Sequence, residues 1–387
     1  MQPLKGITVV TLDHAIAAPS PPRQLAHLGA RVIKIGRPGS GDFARGYDER
    51  VRGLASHFVW TNRSKESLTL DVKHPEAAAI LERLVMEKAD VVVQNLAPGA
   101  ATRLGLGYDK LSGAKPGLIV CDISGYGDDP HHPGPYRDKK AYDLLIQSEA
   151  GFVSVTGTPE EPCKAGPSIA DIAAGMYAYS SILAALLQRG QTGKGQRIDI
   201  SMLESLAEWT SYPLYYAFEG AEPPPRTGAS HATIYPYGPF PAGDGTTVML
   251  GLQNEREWVS FCDNVLEQPD LAKDPRFTAN FKRVAERTAL RKIILDAFKP
   301  LTGTQVVERL ERAQIANAQV NTMKEVWAHP QLKARGRWTE VGTAVGPVPA
   351  MLPPGTWDTG PRMDPVPALG EHTDAILAEL GYSAAEI

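Results

Sequence analysis

Four short runs rich in β-branched residues, "GITVVTL", "ARVIKIG", "ADVVVQN" and "GLIVCDIS", recur within the first 125 residues, separated by helical stretches such as "HPEAAAILERLVMEK". Runs this short and this continuously apolar suit strands covered on both faces, and the helices between them supply the crossovers that parallel strands require. The pattern predicts an α/β fold whose large domain is a Rossmann-like parallel sheet. The first strand is followed by "DHAIAAPSPPRQLAHLG" where a dinucleotide-binding domain would carry G-x-G-x-x-G, so nicotinamide chemistry is not expected.

The chain has 387 residues, enough for two domains with cores of their own. A net charge of -4 gives no bias toward nucleic acid or an anionic membrane. Any basic pocket must be local. Cys121, Cys163 and Cys262 are far apart, odd in number and without a C-x-x-C pair, which argues against a disulfide framework or a structural zinc and fits a reducing cytoplasm. The amino terminus lacks the cationic and long apolar regions of a secretory signal. Ile169 to Leu187 is long enough to span a bilayer, but Asp171, Gly175, Ser180 and Ser181 make a buried helix the better reading.

A large α/β domain is expected over 1–220. Gly- and Pro-rich loops fill 126–168 around a short helix "AYDLLIQSEAG", and after the long apolar helix "RGQTGKGQRIDISMLES" reads as a turn and a strand entering a helix that runs to about Glu219. "GAEPPPRTG" ends that helix, because proline cannot continue it. A smaller α+β domain is expected over 226–325, and 326–387 as a return segment whose terminal amphipathic helix packs on the large domain.

One carboxylate interrupts the apolar stretch "AGPSIADIAAGMYAYSSILAALL": Asp171, near its start. Asp is favoured at a helix amino terminus, where unpaired N–H groups and the dipole stabilise its charge and keep it ionised at neutral pH. A cap and a reactive carboxylate both fit that position.

The blocks "LAHLGARVIKIGRPGSGDFARG", "NRSKESLTLDVKHPE", "ADVVVQNLAPGAATRLGLGYDKL", "GYGDDPHHPGPYRDKKAYD", "PSIADIAAGMYAYSSILAALLQRGQTGKGQRIDISMLES" and "LGEHTDAILAEL" occur in order along almost the whole chain. Together they resemble the class III CoA-transferases, which include formyl-CoA and carnitine CoA-transferases and are related to α-methylacyl-CoA racemase. The resemblance implies that Asp171 is a nucleophile that takes the acyl group as a mixed anhydride and then carries CoA as an aspartyl thioester. It implies CoA contacts at Ile16 and Ala17, Arg37, Leu70, Asp71, Val72 and Lys73, at Asn95, Leu96 and Ala97, at Arg103, and at Lys140, Ala141, Tyr142 and Asp143. Ile16 stands where formyl-CoA transferase has Gln, so a side-chain contact there is altered. The positive charge of Arg37 suits a phosphate.

Racemases of the superfamily carry His where Tyr142 stands, and a phenol with an ordinary pKa near 10 is a poor base, which favours transfer over isomerisation. Arg226, His231 and Tyr237, past the Pro-rich boundary, are candidates for a second substrate carboxylate. His131 and His132 have no partners at metal-ligand spacing, and no metal is assigned. The resemblance implies CoA and acyl-CoA as substrates with no tightly bound cofactor, succinyl-CoA as donor, and a C4 or C5 dicarboxylate acceptor such as itaconate, mesaconate, malate or citramalate. It also implies an interlocked homodimer. Isomerisation of an acyl-CoA and CoA binding without catalysis are the alternatives.

Overall fold

The computed structural model describes residues 1–355 and 358–387. Six strands, β1 (Thr8–Leu12), β2 (Arg31–Gly36), β3 (Glu66–Thr69), β4 (Val91–Gln94), β5 (Ile119–Ser124) and β6 (Arg197–Ser201), form one sheet in the order β3-β2-β1-β4-β5-β6. Every pairing is parallel. The α/β architecture read from the sequence is therefore present, with "QRIDIS" as its sixth strand.

Alternation along each strand divides the side chains between two cores. Val9, Val32, Val91, Ile119, Cys121 and Ile198 face the helices Ser20–His27 and Ile169–Thr192. Val10, Ile33, Leu68, Val92 and Val120 face the helix Pro75–Lys88 and the carboxyl-terminal helix Thr373–Glu379. That last helix docks where the sequence suggested: Ile376, Leu377 and Leu380 enter the second core, and Thr373 Oγ1 accepts from Thr69 N–H on edge strand β3 (3.1 Å).

The helix Ile169–Thr192 lays Ala170, Ala174, Ala178, Ile182 and Ala185 against the sheet, a stripe of mostly small residues that lets it sit close. Gly175 lets the helix come close to the loop after β1. A Cβ on it would lie 3.2 Å from the Ala17 carbonyl oxygen.

The chain divides into two compact units, residues 1–152, 165–210 and 331–387 in one, and 153–164 and 211–330 in the other. The sequence-based bounds differ from these, and the second unit ends at 330 rather than 325. Residues 153–164 belong with the second unit, and the first boundary falls at 210 rather than 220, because the continuous helix expected to Glu219 is broken into Met202–Trp209 and Ser211–Tyr216. Pro213 has no N–H to give the carbonyl four residues back, which marks the break. The second unit has an antiparallel sheet, β7 (Tyr237–Pro241), β8 (Thr247–Gly251) and β9 (Ala316–Gln319), over a core that includes Trp258, Phe240, Phe261, Phe277 and Phe298.

Candidate active site

Strand order reverses about β1, whose neighbours β2 and β4 lead in opposite directions, and in such sheets ligands bind beyond the carboxyl ends of the strands at that point. Four of the sequence-derived contact groups lie at these ends. Arg37 follows β2, Leu70 to Lys73 follow β3, Ile16 and Ala17 lie in the loop after β1, and Asn95 to Ala97 follow β4. Ile16 and Ala17 are buried, so the loop presents backbone rather than side chains. Arg37, Asp71, Lys73, Ala97, Arg103 and Lys140 are exposed. Leu96 N–H donates to Gln94 Oε1 (2.7 Å), and Asn95 clamps both backbone groups of His14 (3.0 Å each). Gln94 also donates to Asp122, which accepts from Arg197, beside a cavity of about 720 Å³ also lined by Asp128, Arg137 and Asp199.

Asp171 is the third residue of the long helix. Burial, and then the negative charge of Asp143, push its carboxyl up to about 7, against the lowering effect of the Ala17 backbone amide. The expectation of a carboxylate fully ionised at neutral pH is corrected here. Burial outweighs the helix terminus, which is served from elsewhere: Ala170 N–H donates to Asp143 Oδ1 (2.8 Å). Asp143 Oδ2 accepts from Gln147 (2.7 Å), whose Oε1 in turn accepts from Ala165 N–H (2.9 Å).

Asp143 thus caps the helix that carries Asp171, a role its assignment among the CoA contacts did not anticipate. Ala141 packs on Gly125, where a Cβ would lie 2.2 Å from its own, while Tyr142 is 66% exposed. Beside them stands an aromatic rim that the sequence reading missed: His14 stacks on Phe43 (5.2 Å), Phe43 tilts on Tyr47 (5.8 Å), and His57 meets Tyr47 edge-on (5.4 Å). Burial, then the negative charges of Asp42 and Asp171, raise the Tyr47 phenol. In "GDFARGYDERVRG" the only signal was an aromatic pair in an otherwise charged loop.

Asp143→Asn keeps an oxygen for Ala170 N–H but removes the like charge. The ¹³C-observed titration of the Asp171 carboxyl is expected to fall by on the order of one pH unit. An unmoved titration would mean that burial alone sets it.

The three candidates for a second carboxylate lie in the second unit. The Arg226 guanidinium donates to the carbonyls of Ser154 (3.2 Å), Thr158 (2.9 Å) and Pro159 (3.0 Å), tying 153–164 into that unit. His231 Nδ1 accepts from Thr233 and Ile234 N–H (3.2 and 3.1 Å), its ring stacks on Tyr237, and burial lowers its pKa. The Arg226 guanidinium and His231 Nδ1 are thus engaged by backbone groups of their own unit. No group of metal-ligating residues occurs among the described residues.

The sequence model of CoA-transferase family III matches residues 4–373. The chain belongs to this family. Among curated relatives of the family III CoA-transferase, succinate–glutarate CoA-transferase of Agrobacterium fabrum is 35% identical, covering 98% of this chain and 96% of the relative. The human succinyl-CoA:glutarate CoA-transferase is 32% identical over 98% of this chain and 86% of its own length. A CAIB/BAIF family protein from Brucella suis has the same fold, with a TM-score of 0.83 and 34% identity over 98% and 99% of the two chains. The family III CoA-transferase is therefore an enzyme of CoA transfer.

Proposed function

We propose that the enzyme moves CoA from succinyl-CoA to a small dicarboxylate, with Asp171 as the covalent carrier. The Asp171 carboxylate attacks the thioester carbonyl, the C–S bond breaks, and CoA thiolate leaves a mixed anhydride on the enzyme. Thiolate attack on the aspartyl carbonyl then releases succinate and leaves an aspartyl-CoA thioester. The acceptor carboxylate repeats the two steps in reverse order.

The observation that carries this reading is the environment of Asp171: a half-buried carboxylate in the first turn of the long helix, raised to about 7 by burial and Asp143, in the helix that Gly175 brings against the Ala17 backbone of the loop after β1. Burial that disfavours the free carboxylate favours its neutral acyl derivatives and raises its basicity, and both effects suit a nucleophile that must be acylated and deacylated. The Ala17 N–H can follow the oxygen as charge develops on it. Tyr142, a phenol in place of the imidazole of racemases, supports transfer over isomerisation.

The dicarboxylate class draws support from the names of the glutarate-using relatives and from the blocks that suggested itaconate, mesaconate, malate or citramalate. Mass spectrometry of the CoA esters formed from succinyl-CoA and a panel of these acids, glutarate, oxalate and carnitine tests it. One new acyl-CoA dependent on a C4 or C5 diacid is the expected result. Transfer to oxalate or carnitine alone would overturn the class, and no ester from any acid would overturn the donor.

A further inference from the structure

Behind the Ala17 loop lie four charged side chains that the transfer chemistry does not touch. Asp13 follows β1, Lys34 is within β2, Lys65 precedes β3, and Asp42 opens the short turn Phe43–Gly46; none is more than 3% exposed. Lys34 Nζ donates to the Asp13 carbonyl (2.8 Å), to the Asp13 carboxylate and to Asp42 Oδ2 (2.9 Å). Lys65 Nζ donates to Asp13 Oδ2 (3.2 Å), Asn62 Oδ1 (2.9 Å) and the Pro19 carbonyl (2.9 Å). His14 Nδ1, 3.7 Å from Asp42 Oδ1, Arg45 and the Tyr47 phenol are further titratable groups against the cluster.

Buried ion pairs are costly to desolvate, and well-packed apolar groups in their place are often as stable. What the cluster holds is therefore more informative than its own energy. Each member fixes the loop between β1 and the helix Ser20–His27. Lys34 takes the carbonyl of Asp13, Asp42 Oδ1 accepts from Ala15 N–H (3.2 Å), and Lys65 takes the carbonyl of Pro19. Ala15 is held at φ 64, a left-handed conformation that a residue with a Cβ keeps only when its surroundings impose it. Ile16 and Ala17 lie between the clamps, and Gly175 brings the long helix up to the Ala17 carbonyl.

We infer that Asp13, Lys34, Asp42 and Lys65 are positioning residues for CoA transfer, fixing the Ile16–Ala17 backbone against the first turns of the long helix, which carry Asp171 and Gly175. The inference rests on the reading of Asp171 as the covalent carrier. Besides Ala17, the polar groups facing Asp171 are Asp143 and the Tyr47 phenol, and the cluster reaches the nucleophile only through the backbone it holds.

The test uses the full chain, with kcat and KM for succinyl-CoA and the ¹³C titration of the Asp171 carboxyl. Asp42→Ala deprives Ala15 N–H of its acceptor; kcat is expected to fall about 10²-fold, as for a misplacement on the order of 1 Å, with KM within about threefold. The Asp171 titration should move up as the Ala17 amide, which favours its charged form, is displaced, and Asp42→Asn, which keeps an oxygen for Ala15 N–H, should recover at least about a tenth of the activity. Gly175→Ala serves as the second variant. It suits a helix interior but presses the Ala17 carbonyl from the other side, and it should lower kcat without lowering the unfolding midpoint.

Wild-type kcat and titration in both Asp42→Ala and Gly175→Ala would overturn the inference, as would a loss of activity that only follows loss of folded protein. Asp171→Ala in parallel separates the two claims. Its full activity would overturn the carrier, whereas its inactivity beside normal loop variants would overturn only the positioning role.

Discussion

Asp171→Ala loses transfer from succinyl-CoA by at least about 10³-fold, as expected when the group that carries a covalent intermediate is removed. No neighbour stands ready to replace it. The other carboxylate facing the site is Asp143, and both of its oxygens are engaged, one by Ala170 N–H and the other by Gln147. Water in the space left by the truncated side chain could hydrolyse a thioester, but it cannot hold CoA for return to a second acid. The variant should therefore form no new CoA ester even where it slowly consumes the donor. CoA affinity, measured by calorimetry, should change little, because the candidate contacts are spread over loops that follow four different strands. Turnover within about tenfold of wild type would remove Asp171 from the mechanism and turn attention to a direct attack of the acceptor on the donor.

The sheet was legible because its strands are short, β-branched and covered on both faces, so "TVVTL" and "VVVQ" admit little else. The same property concealed the charge cluster. In "RVIKIG" the alternation makes Lys34 look like a solvent-facing residue, whereas a strand with helices on both sides has no solvent face, and the lysine must find anions inside. Lys65, in "RSKES", carries no local sign that it will reach Asp13, 52 residues earlier. The protonation of Asp171 was misjudged for a related reason. Its position in the helix was read correctly, but the donor at the terminus is taken by Asp143, 27 residues before the amide it caps. The end of the large unit was missed because an apolar, aromatic run continues past Thr210, and periodicity gave it more weight than Pro213. Arg226 and His231 looked suited to a substrate anion by residue type alone, and only their backbone partners show how they are used.

Asp171→Asn is expected to stabilise the protein at pH 8 while abolishing transfer. Asparagine keeps an oxygen for the Ala17 N–H and nearly the same volume, but it carries no charge to be desolvated beside Asp143. In the folded chain burial and Asp143 push the Asp171 carboxyl up to about 7, from its ordinary 3.8. Between those values the folded state holds a proton that the unfolded state has released, so the stability contributed by this group is complete below about 3.8 and is lost as the pH rises toward and through 7. The advantage of the variant should consequently be small near pH 4, grow across that window and level off above pH 8, reaching about 1 to 4 kcal/mol. Calorimetric unfolding at pH 5 and pH 8 reads it as a midpoint gain of several degrees at the higher pH. An equal gain at both would show that Asp171 is ionised throughout and that the substitution acts through packing. If the gain does grow with pH, the cost that Asp143 and burial impose on the free carboxylate is also the driving force that acylation relieves, and stability and reactivity at this site are two readings of one electrostatic term.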